Sequence, residues 1–466
     1  MKAADAISDL RPRRVGAWLV AATLLGLGAG GVAAQEIGSA VALVGTGDVP
    51  AEGDGKPQRS LKCPHPADPR HRHFECKTSP FDSVQETLTG DWNQSRDALK
   101  RLGVTPTGSY QAGWFGAGSG PGTAPTFAGQ FNGSLNVELD KAIGAWDGFS
   151  FYVSGIAAAQ TNVDSWLNTN LFAVDTLAAG NTGWLGEMYL QQTALGGALT
   201  VAAGWMGPAA TFATLPVFSN YLSKAIAGNP AAPLTNDAAF GRAPPNSQWG
   251  AQATWNLTPV WQIAGGVFNN NPNAANGAKH GVNFRMRQGN TGALWVGQVN
   301  YLYNQGPTDK GMPGQYTIGA FHDSNHFQDL ATGASVGGNW NAYLMAQQQV
   351  TRDGGPGSAQ GVTLWGSVNY ASKQSVNMMP VEVGLGASWQ GPWRGRPNDI
   401  ASAGWYYGTV SDTQPGTTAT QAIELNYQWA VTGAITLVGD FQYLWRLNGL
   451  PSPGAAVFGV QANVTF

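Results

Sequence analysis

The sequence ends on the run Phe458-Gly-Val-Gln-Ala-Asn-Val-Thr-Phe466, in which every second residue is apolar. Successive side chains of a β-strand point to opposite sides, so the apolar residues share one face. The other face carries Gly, Gln, Asn and Thr, and none of these is charged. An apolar outer face and an uncharged polar inner face are typical of a barrel with lipid outside and water inside. The run therefore predicts a transmembrane strand.

The same alternation recurs upstream, at residues 135–139, 362–370, 423–429 and 435–443. A soluble sandwich would have apolar inner faces and charged outer faces. Here the polar faces carry mainly Asn, Gln, Ser and Thr, which suit a water-filled lumen better than a charged outer surface. We therefore predict an all-β fold, a transmembrane antiparallel β-barrel over residues 104–466. At roughly 22 residues per strand with its share of turn, this length permits about 16 strands. A ring of this size leaves an aqueous lumen.

Residues 208–247 interrupt the alternation. Pro230, Pro233 and Pro244-Pro245 exclude a central strand there, because proline cannot donate to a strand ladder. Two interpretations remain open: a loop that folds inward and narrows the pore, or an ordinary surface loop. Residues 161–182 and 303–315 are also rich in turn-forming residues.

The composition excludes several classes of protein. Charged residues make up 11% of the chain, against about 25% in ordinary globular domains. Few charges and many aromatic residues suit a surface that contacts lipid, where aromatic girdles mark the interfaces. The net charge of −3 excludes a strongly basic nucleic-acid surface, so no nucleic-acid partner is expected.

The first 34 residues have the pattern of a signal peptide. Arg11, Arg13 and Arg14 precede an apolar stretch at residues 15–27, and small residues lead up to a cleavage site after Ala34. The alternative, a membrane anchor, would need about 20 apolar residues. We expect an exported protein located in the bacterial cell outer membrane.

Residues 35–87 are predicted to form a flexible periplasmic extension, because Gly, Pro and clustered charges occur there without periodicity. Cys63 and Cys76 lie within it, and a disulfide is the default expectation in an oxidising compartment. Free thiols or a Cys/His metal site are the alternatives. The spacing matches no standard zinc pattern, so neither a metal nor a cofactor is expected.

A short periplasmic helix is predicted within residues 88–103. Asp91 is the expected N-cap, and Gly103 is the expected glycine after the last turn. Trp92, Leu99 and Leu102 would share the face that packs against the periplasmic rim of the barrel.

Several runs of this sequence resemble the carbohydrate-selective porin family (OprB type). The clearest is Gly386-Ala-Ser-Trp-Gln-Gly-Pro-Trp-Arg-Gly-Arg-Pro-Asn-Asp399. The other matching runs are Leu88-Thr-Gly-Asp-Trp92, Leu185-Gly-Glu-Met-Tyr-Leu-Gln-Gln192, Pro313-Gly-Gln-Tyr-Thr-Ile-Gly-Ala-Phe-His-Asp323, Glu424-Leu-Asn-Tyr427 and the terminal run. The resemblance implies a monomeric barrel of about 16 strands that conducts monosaccharides such as glucose across the membrane. The terminal Phe466 resembles the recognition signal for the barrel-assembly machinery.

Candidate substrate-binding residues follow from the inward phase of the alternation. A sugar is an uncharged polyol with apolar ring faces, so it needs hydrogen-bonding groups and an aromatic surface. The candidates are Glu138, Glu187, Tyr189, Gln191, Trp365, Asn369 and Glu424. Arg394, Arg396 and Asp399 are expected to stabilise a turn instead.

Small sugars, outer-membrane lipid and the assembly machinery are therefore the expected partners, and no enzymatic activity is expected. A general diffusion porin without sugar preference is the main alternative. A secreted binding protein is disfavoured by the terminal Phe466 and the low surface charge. A hydrolase with a His/Asp/Ser triad drawn from Phe321-His-Asp-Ser-Asn-His-Phe327, with His322 or His326 as the histidine, is disfavoured because triad members usually converge from separate elements.

Overall fold

The computed structural model describes residues 87–119, 125–161, 171–177, 181–241, 246–274, 277–289, 291–306, 309–355 and 357–466. The predicted signal peptide and the Cys63–Cys76 pair lie outside these residues. Within them are sixteen strands, β1 to β16 in chain order: Val104–Ala117, Thr126–Glu138, Phe149–Thr161, Thr182–Ala194, Leu199–Met206, Gln248–Asn256, Trp261–Asn270, Gly292–Tyr303, Gly314–Gln328, Ser335–Gln349, Gly361–Ala371, Val381–Gln390, Ile400–Thr409, Ala419–Ala430, Ile435–Trp445 and Ala455–Thr465.

Short helical segments lie between the strands or before them. The α-helices of the described residues are α1 (Ser95–Arg101), α2 (Leu139–Ile143) and α3 (Ala231–Asn236). Turns of 3₁₀-helix occur at Leu195–Gly197, Pro208–Ala210, Pro216–Asn220, Gly277–Lys279 and Leu447–Gly449. No helix of the described residues is both long enough and apolar enough to cross a membrane.

The sheet closes on itself. Each strand pairs antiparallel with its neighbours in the chain, and β1 pairs with β16 from Ser109–Thr465 to Ala117–Val457. Closure gives every strand two hydrogen-bonded partners, which leaves no sheet edge to be desolvated in lipid. The predicted antiparallel barrel of 16 strands is confirmed.

The two faces of the wall follow the alternation seen in the sequence. On β16, Phe458 and Val460 point outward with 58% and 53% of their surface exposed, whereas Gln461 points inward and is 1% exposed. None of the sixteen strands among the described residues carries Lys or Arg. The acidic strand residues all lie on the inward phase, at Glu138, Glu187, Asp323, Glu382, Glu424 and Asp440. The lipid-facing surface of the strands is therefore free of acidic and basic side chains other than histidine.

Loop lengths give the orientation in the membrane. Long connections at residues 162–181, 207–247 and 271–291 all lie at one end, and turns such as residues 195–198 and 431–434 lie at the other. Outer-membrane barrels have short periplasmic turns and longer outer loops. Phe466 therefore lies at the periplasmic end, where its backbone N–H donates to the Gly108 carbonyl over 2.8 Å.

The segment before β1 attaches to the end of β16. The Arg96 guanidinium donates to the Phe466 carbonyl oxygen over 2.6 Å, and the Leu88 N–H donates to the Thr465 carbonyl over 2.7 Å. The N-cap of helix α1 is Gln94, three residues later than the N-cap expected at Asp91, because Trp92, Asn93 and Gln94 have left-handed backbones.

At the C-terminal end of α1, the expectation for Gly103 is met and the expectation for Leu102 is not. Gly103 ends the helix with a φ of 78°, a conformation that glycine adopts without strain. Leu102, expected to pack against the rim, is instead 62% exposed.

The described residues of this loop, 207–241 and 246–247, fold into the barrel, so it is not an ordinary surface loop. Most of its apolar side chains, among them Phe212, Phe218 and Phe240, are buried against inward residues of the wall. Phe240 stacks on Phe321 of β9 at a ring-centroid distance of 4.2 Å. We call residues 207–241 and 246–247 the inner loop.

The turn between β12 and β13 is held by an ion pair. Arg396 makes two hydrogen bonds to the Asp399 carboxylate, over 2.6 and 2.8 Å, and a third to the Ala430 carbonyl over 2.9 Å. Asp399 also accepts hydrogen bonds from the Tyr427 hydroxyl and from the Ala430 N–H. Arg394 is exposed.

We expect Asp399→Asn to lower the free energy of unfolding of the barrel by about 1–3 kcal/mol, since charge-assisted hydrogen bonds to a buried group are lost. Urea unfolding of the barrel in lipid vesicles at pH 7, followed by tryptophan fluorescence, measures this. Arg394→Gln in the same turn is the control, and we expect it to leave the unfolding free energy unchanged.

The same difference should depend on pH. Burial alone would raise the pKa of Asp399, but hydrogen bonds from Arg396, Tyr427 and Ala430 outweigh it and hold the pKa below its ordinary value of 3.8. A carboxyl with a depressed folded pKa stabilises the fold above its unfolded pKa and loses this effect as pH falls through the folded pKa. The difference in unfolding free energy between wild type and Asp399→Asn should therefore become smaller below about pH 4. A gap that stays constant down to pH 2 would contradict this assignment.

Candidate functional site

The candidate site is the lumen, into which the inner loop folds. A loop buried inside a barrel carries backbone N–H groups that need acceptors, because water is excluded from them. The wall supplies carboxylate acceptors at Glu187, Glu382 and Glu424 and amide oxygens at Gln298 and Gln347.

Glu424 of β14 holds the middle of the inner loop. Its two carboxylate oxygens accept hydrogen bonds from the N–H groups of Leu222 (2.7 Å) and Ser223 (3.3 Å). The Tyr406 hydroxyl and the Asn426 amide also donate to it, each over 3.0 Å. Four donors around one buried carboxylate fix its position, so this part of the loop is held at a defined distance from the wall.

Glu382 of β12 holds the first turn of α3. Its carboxylate accepts the N–H groups of Ala231 over 3.1 Å and Ala232 over 2.7 Å. The first N–H groups of a helix have no partner within the helix, so this carboxylate acts as their cap. Glu187 of β4 holds the start of the loop, where it accepts the Gly207 N–H over 3.0 Å.

Aromatic side chains complete the attachment. The Trp365 indole N–H donates to the Tyr221 hydroxyl over 2.7 Å, and the Tyr221 hydroxyl lies 2.9 Å from the Ala387 carbonyl oxygen of β12. Trp365 also packs edge-on against Phe218 at a centroid distance of 5.3 Å and lies nearly parallel to Tyr406 at 6.2 Å. The inner loop therefore meets the wall through both apolar packing and hydrogen bonds.

Below the inner loop, the inward residues of the periplasmic half remain partly exposed. They carry amides, hydroxyls and tyrosine rings, and those that the structure describes include Asn132, Ser134, Asn136, Tyr152, Tyr189, Gln191 and Gln262. The ring centroids of Tyr152 and Tyr189 are 5.0 Å apart in a stacked arrangement. An uncharged, hydrogen-bonding wall with an aromatic surface fits an uncharged polar solute better than an ion.

The predicted substrate-binding residues fall into two groups. Glu187, Trp365, Asn369 and Glu424 are buried beneath the inner loop, and Asn369 donates to Glu382 over 3.4 Å. Their contacts are with the loop or the wall. Tyr189 and Gln191 are only half-buried and lie in the periplasmic half, while Glu138 lies at the rim in an ion pair with Lys141.

Glu382 and Tyr221 were missed by sequence reasoning. Glu382 could have been found, because it is the lone acidic residue on the inward phase of Val381-Glu-Val-Gly-Leu385. Tyr221 carried no such pattern, since it lies in an irregular loop. Lys224 of the inner loop was also missed; burial lowers its pKa from the ordinary value.

The residues considered for a hydrolase do not come together. Asp323 points into the barrel, where it accepts hydrogen bonds from the Asn270 amide and the Asn325 N–H. His322 lies on the outward phase, with its ring 4.6 Å from that of Trp340. Among the described residues there is also no group of three or more His, Cys, Asp or Glu side chains that could hold a metal ion.

A closed antiparallel barrel of 16 strands, with a loop folded into a polar lumen, defines an outer-membrane porin. The model of the "Carbohydrate-selective porin, OprB family" matches residues 123–466. The chain therefore belongs to the OprB family of carbohydrate-selective porins and forms a channel for carbohydrates in the outer membrane; it is not an enzyme.

Individual relatives agree with this assignment. Porin B of Pseudomonas aeruginosa is 23% identical over 432 residues, which cover 83% of this chain and 92% of that protein. The high-pH structure of Pseudomonas putida OprB superposes with a TM-score of 0.74 at 22% identity, covering 83% of this chain and all of that one. The low-pH structure of the same protein gives a TM-score of 0.55 at 21% identity, covering 82% and 99%. These likenesses support the fold.

We expect Glu382→Ala and Glu424→Ala to raise the single-channel conductance and its current noise. Each substitution leaves a pair of buried N–H groups without an acceptor, at a cost of about 1–3 kcal/mol for each unsatisfied group. A shift of 1–2 kcal/mol changes the equilibrium between docked and displaced loop by about 5- to 30-fold. Planar-bilayer recordings of the purified barrel measure this.

Glu138→Ala is the matched control, because Glu138 lies at the rim and pairs with Lys141 rather than with the inner loop. Its conductance should equal that of the wild type. If both lumen variants also conduct like the wild type, the carboxylates do not hold the loop in place.

Proposed function

We propose that this porin selects monosaccharides such as glucose by size at the inner loop and by weak binding in the periplasmic half of the lumen. The observation that carries this proposal is the uncharged, partly exposed inward surface below the loop. Its amides and hydroxyls can exchange hydrogen bonds with a polyol as the sugar gives up water. Because these contacts are neutral and separate, binding stays weak enough for the sugar to leave.

Tyr189 and Gln191 are the proposed solute contacts among the candidate residues. The Tyr152–Tyr189 pair offers an aromatic face on which the apolar face of a sugar ring can rest. Gln191 lies two residues further along the inward phase of β4, so its amide is close to the same surface. Glu187, Trp365, Asn369 and Glu424 act indirectly, since they position the inner loop.

The absence of Lys and Arg from all strands supports a neutral solute. A channel for anions is expected to carry rings of basic side chains, and one for cations rings of acidic side chains. Here the buried acidic groups of Glu187, Glu382 and Glu424 are occupied by hydrogen bonds from the inner loop. They are therefore not free to form a cation-selective ring.

Two further expectations stay proposals. We propose that the barrel functions as a monomer, since one chain closes the ring and encloses its own lumen. We also propose that the assembly machinery recognises the terminal strand through Phe466. The Phe466 ring lies 6.1 Å from that of Phe131 on β2, so it is within reach at the wall of the barrel.

The test of sugar binding is a planar-bilayer recording in which glucose is titrated into one chamber. We expect a saturable decrease in current, and Tyr189→Ala should raise the half-blocking concentration about fivefold, the equivalent of about 1 kcal/mol of aromatic contact. Tyr370→Ala is the matched control, because Tyr370 points outward and is exposed. A current that does not respond to glucose would favour a general diffusion porin.

A vesicle-swelling assay tests size selection separately. Glucose should enter vesicles containing the wild-type barrel faster than maltose, because the inner loop narrows the lumen. Glu382→Ala should reduce this difference by loosening the loop, whereas Tyr189→Ala should leave it unchanged. Equal rates for glucose and maltose in the wild type would overturn size selection at the loop.

A further inference from the structure

A short segment of the loop between β7 and β8 lies on the outside of the barrel wall. The His280 carbonyl accepts the Leu185 N–H over 3.1 Å, and the Phe284 carbonyl accepts the indole N–H of Trp249 over 2.8 Å. Trp249 faces outward, since its neighbour Gln248 points inward to the inner loop. We call residues 279–287 the rim segment, because it covers the outer end of β4 to β6.

Aromatic packing fixes the rim segment on the wall. The Phe284 ring packs edge-on against Trp205 at a centroid distance of 5.0 Å and tilts against Trp249 at 5.8 Å. This contact leaves the outward-facing Trp205 only 1% exposed. The Asn271 amide also donates to the Arg285 carbonyl over 2.7 Å. The segment therefore has a defined position at the outer end of the barrel.

The rim segment presents both apolar and basic side chains. Val282, Phe284 and Met286 are 49%, 37% and 59% exposed, so their apolar side chains are open to contact with lipid. Lys279, Arg285 and Arg287 are exposed as well, and residues 277–289 contain no Asp or Glu. Neither arginine forms an ion pair with any residue that the structure describes. Three cations thus gather at the membrane surface in a chain whose net charge is −3.

An apolar groove of about 570 Å³ lies on the outward face of the wall, and its lining includes Ala251, two residues from the Trp249 that contacts the rim segment. Ala251, Ala253, Gly265, Gly297 and Ala320 are among the residues that line it, together with Trp295 and Trp340. Ala251 follows Trp249 by two residues on β6, a rise of about 7 Å toward the membrane centre. The volume falls within the ~300–1,000 Å³ range of small-molecule sites.

We propose that the rim segment and this groove bind a phosphorylated glycolipid of the outer leaflet. Arg285 and Arg287, with Lys279, hold the phosphates of the headgroup, since guanidinium groups make paired hydrogen bonds to phosphate oxygens. One acyl chain lies in the groove below, and the side chains of Val282 and Met286 contact the remaining chains. Charge complementarity selects this partner, because a neutral lipid would leave the three cations without counter-charges.

The test measures binding of bisphosphorylated lipid A to the purified barrel in detergent by native mass spectrometry. Arg285→Gln/Arg287→Gln should weaken the affinity at least tenfold, and Arg394→Gln, an exposed arginine at the periplasmic end, should stay within twofold of wild type. Gly297→Leu should weaken it at least threefold by filling the groove, since no atom lies within 4 Å of a Cβ at this position. Gly439→Leu on β15 is the matched control, with the same open space.

Several outcomes would overturn the proposal. Lipid A binding within twofold of wild type in the double arginine variant excludes a phosphate site at the rim segment. Equal binding of dephosphorylated lipid A excludes recognition through phosphate. Displacement of lipid A by millimolar inorganic phosphate means that the site takes free phosphate. Unchanged binding in Gly297→Leu removes the acyl chain from the groove. Single-channel conductance should equal the wild-type value in all variants, which separates this site from the pore.

Discussion

Closure of the sheet between β1 and β16 is the constraint on which the rest of this structure depends. In a bilayer, a strand edge would leave its N–H and C=O groups without partners, and each costs several kcal/mol. Closing the ring satisfies all sixteen strands and encloses a space that water can fill. It also divides side chains into two populations, so that Phe458 and Val460 contact lipid while Gln461 faces the lumen.

The closed ring encloses a wide lumen, and the inner loop folds into it. A ring of 16 strands is wide enough for an aqueous channel, and selection among solutes needs a narrower passage. The proposed selection by size assigns this passage to the inner loop, whose buried N–H groups require acceptors. Glu187, Glu382 and Glu424 provide these from three separate strands. Three of the six acidic residues of the strands thus position the loop, and the proposed sugar-binding surface below it is neutral.

Charged side chains are also scarce on the outside of the barrel. The strands contribute no Lys or Arg, so the cations of the rim segment stand out at the outer membrane surface. The two proposed binding surfaces are therefore chemically different: the proposed sugar contacts are neutral, and the proposed glycolipid contacts at the rim are basic. At the periplasmic end, Arg96 of α1 donates a hydrogen bond to the Phe466 carbonyl oxygen and so connects the N-terminal segment to the end of the chain.

The sequence by itself determined the barrel, the approximate number of strands and the face on which each strand residue lies. It could do so because alternation is local: Gln461 and Val460 differ in environment only through the two-residue period. Tertiary structure alone decided what the inward residues contact. Glu424 and Trp365 point inward as predicted, yet they lie beneath Leu222 and Tyr221, about two hundred and about one hundred and forty residues away in the chain. No local pattern encodes where an irregular loop returns, because its path depends on distant wall residues that accept its hydrogen bonds.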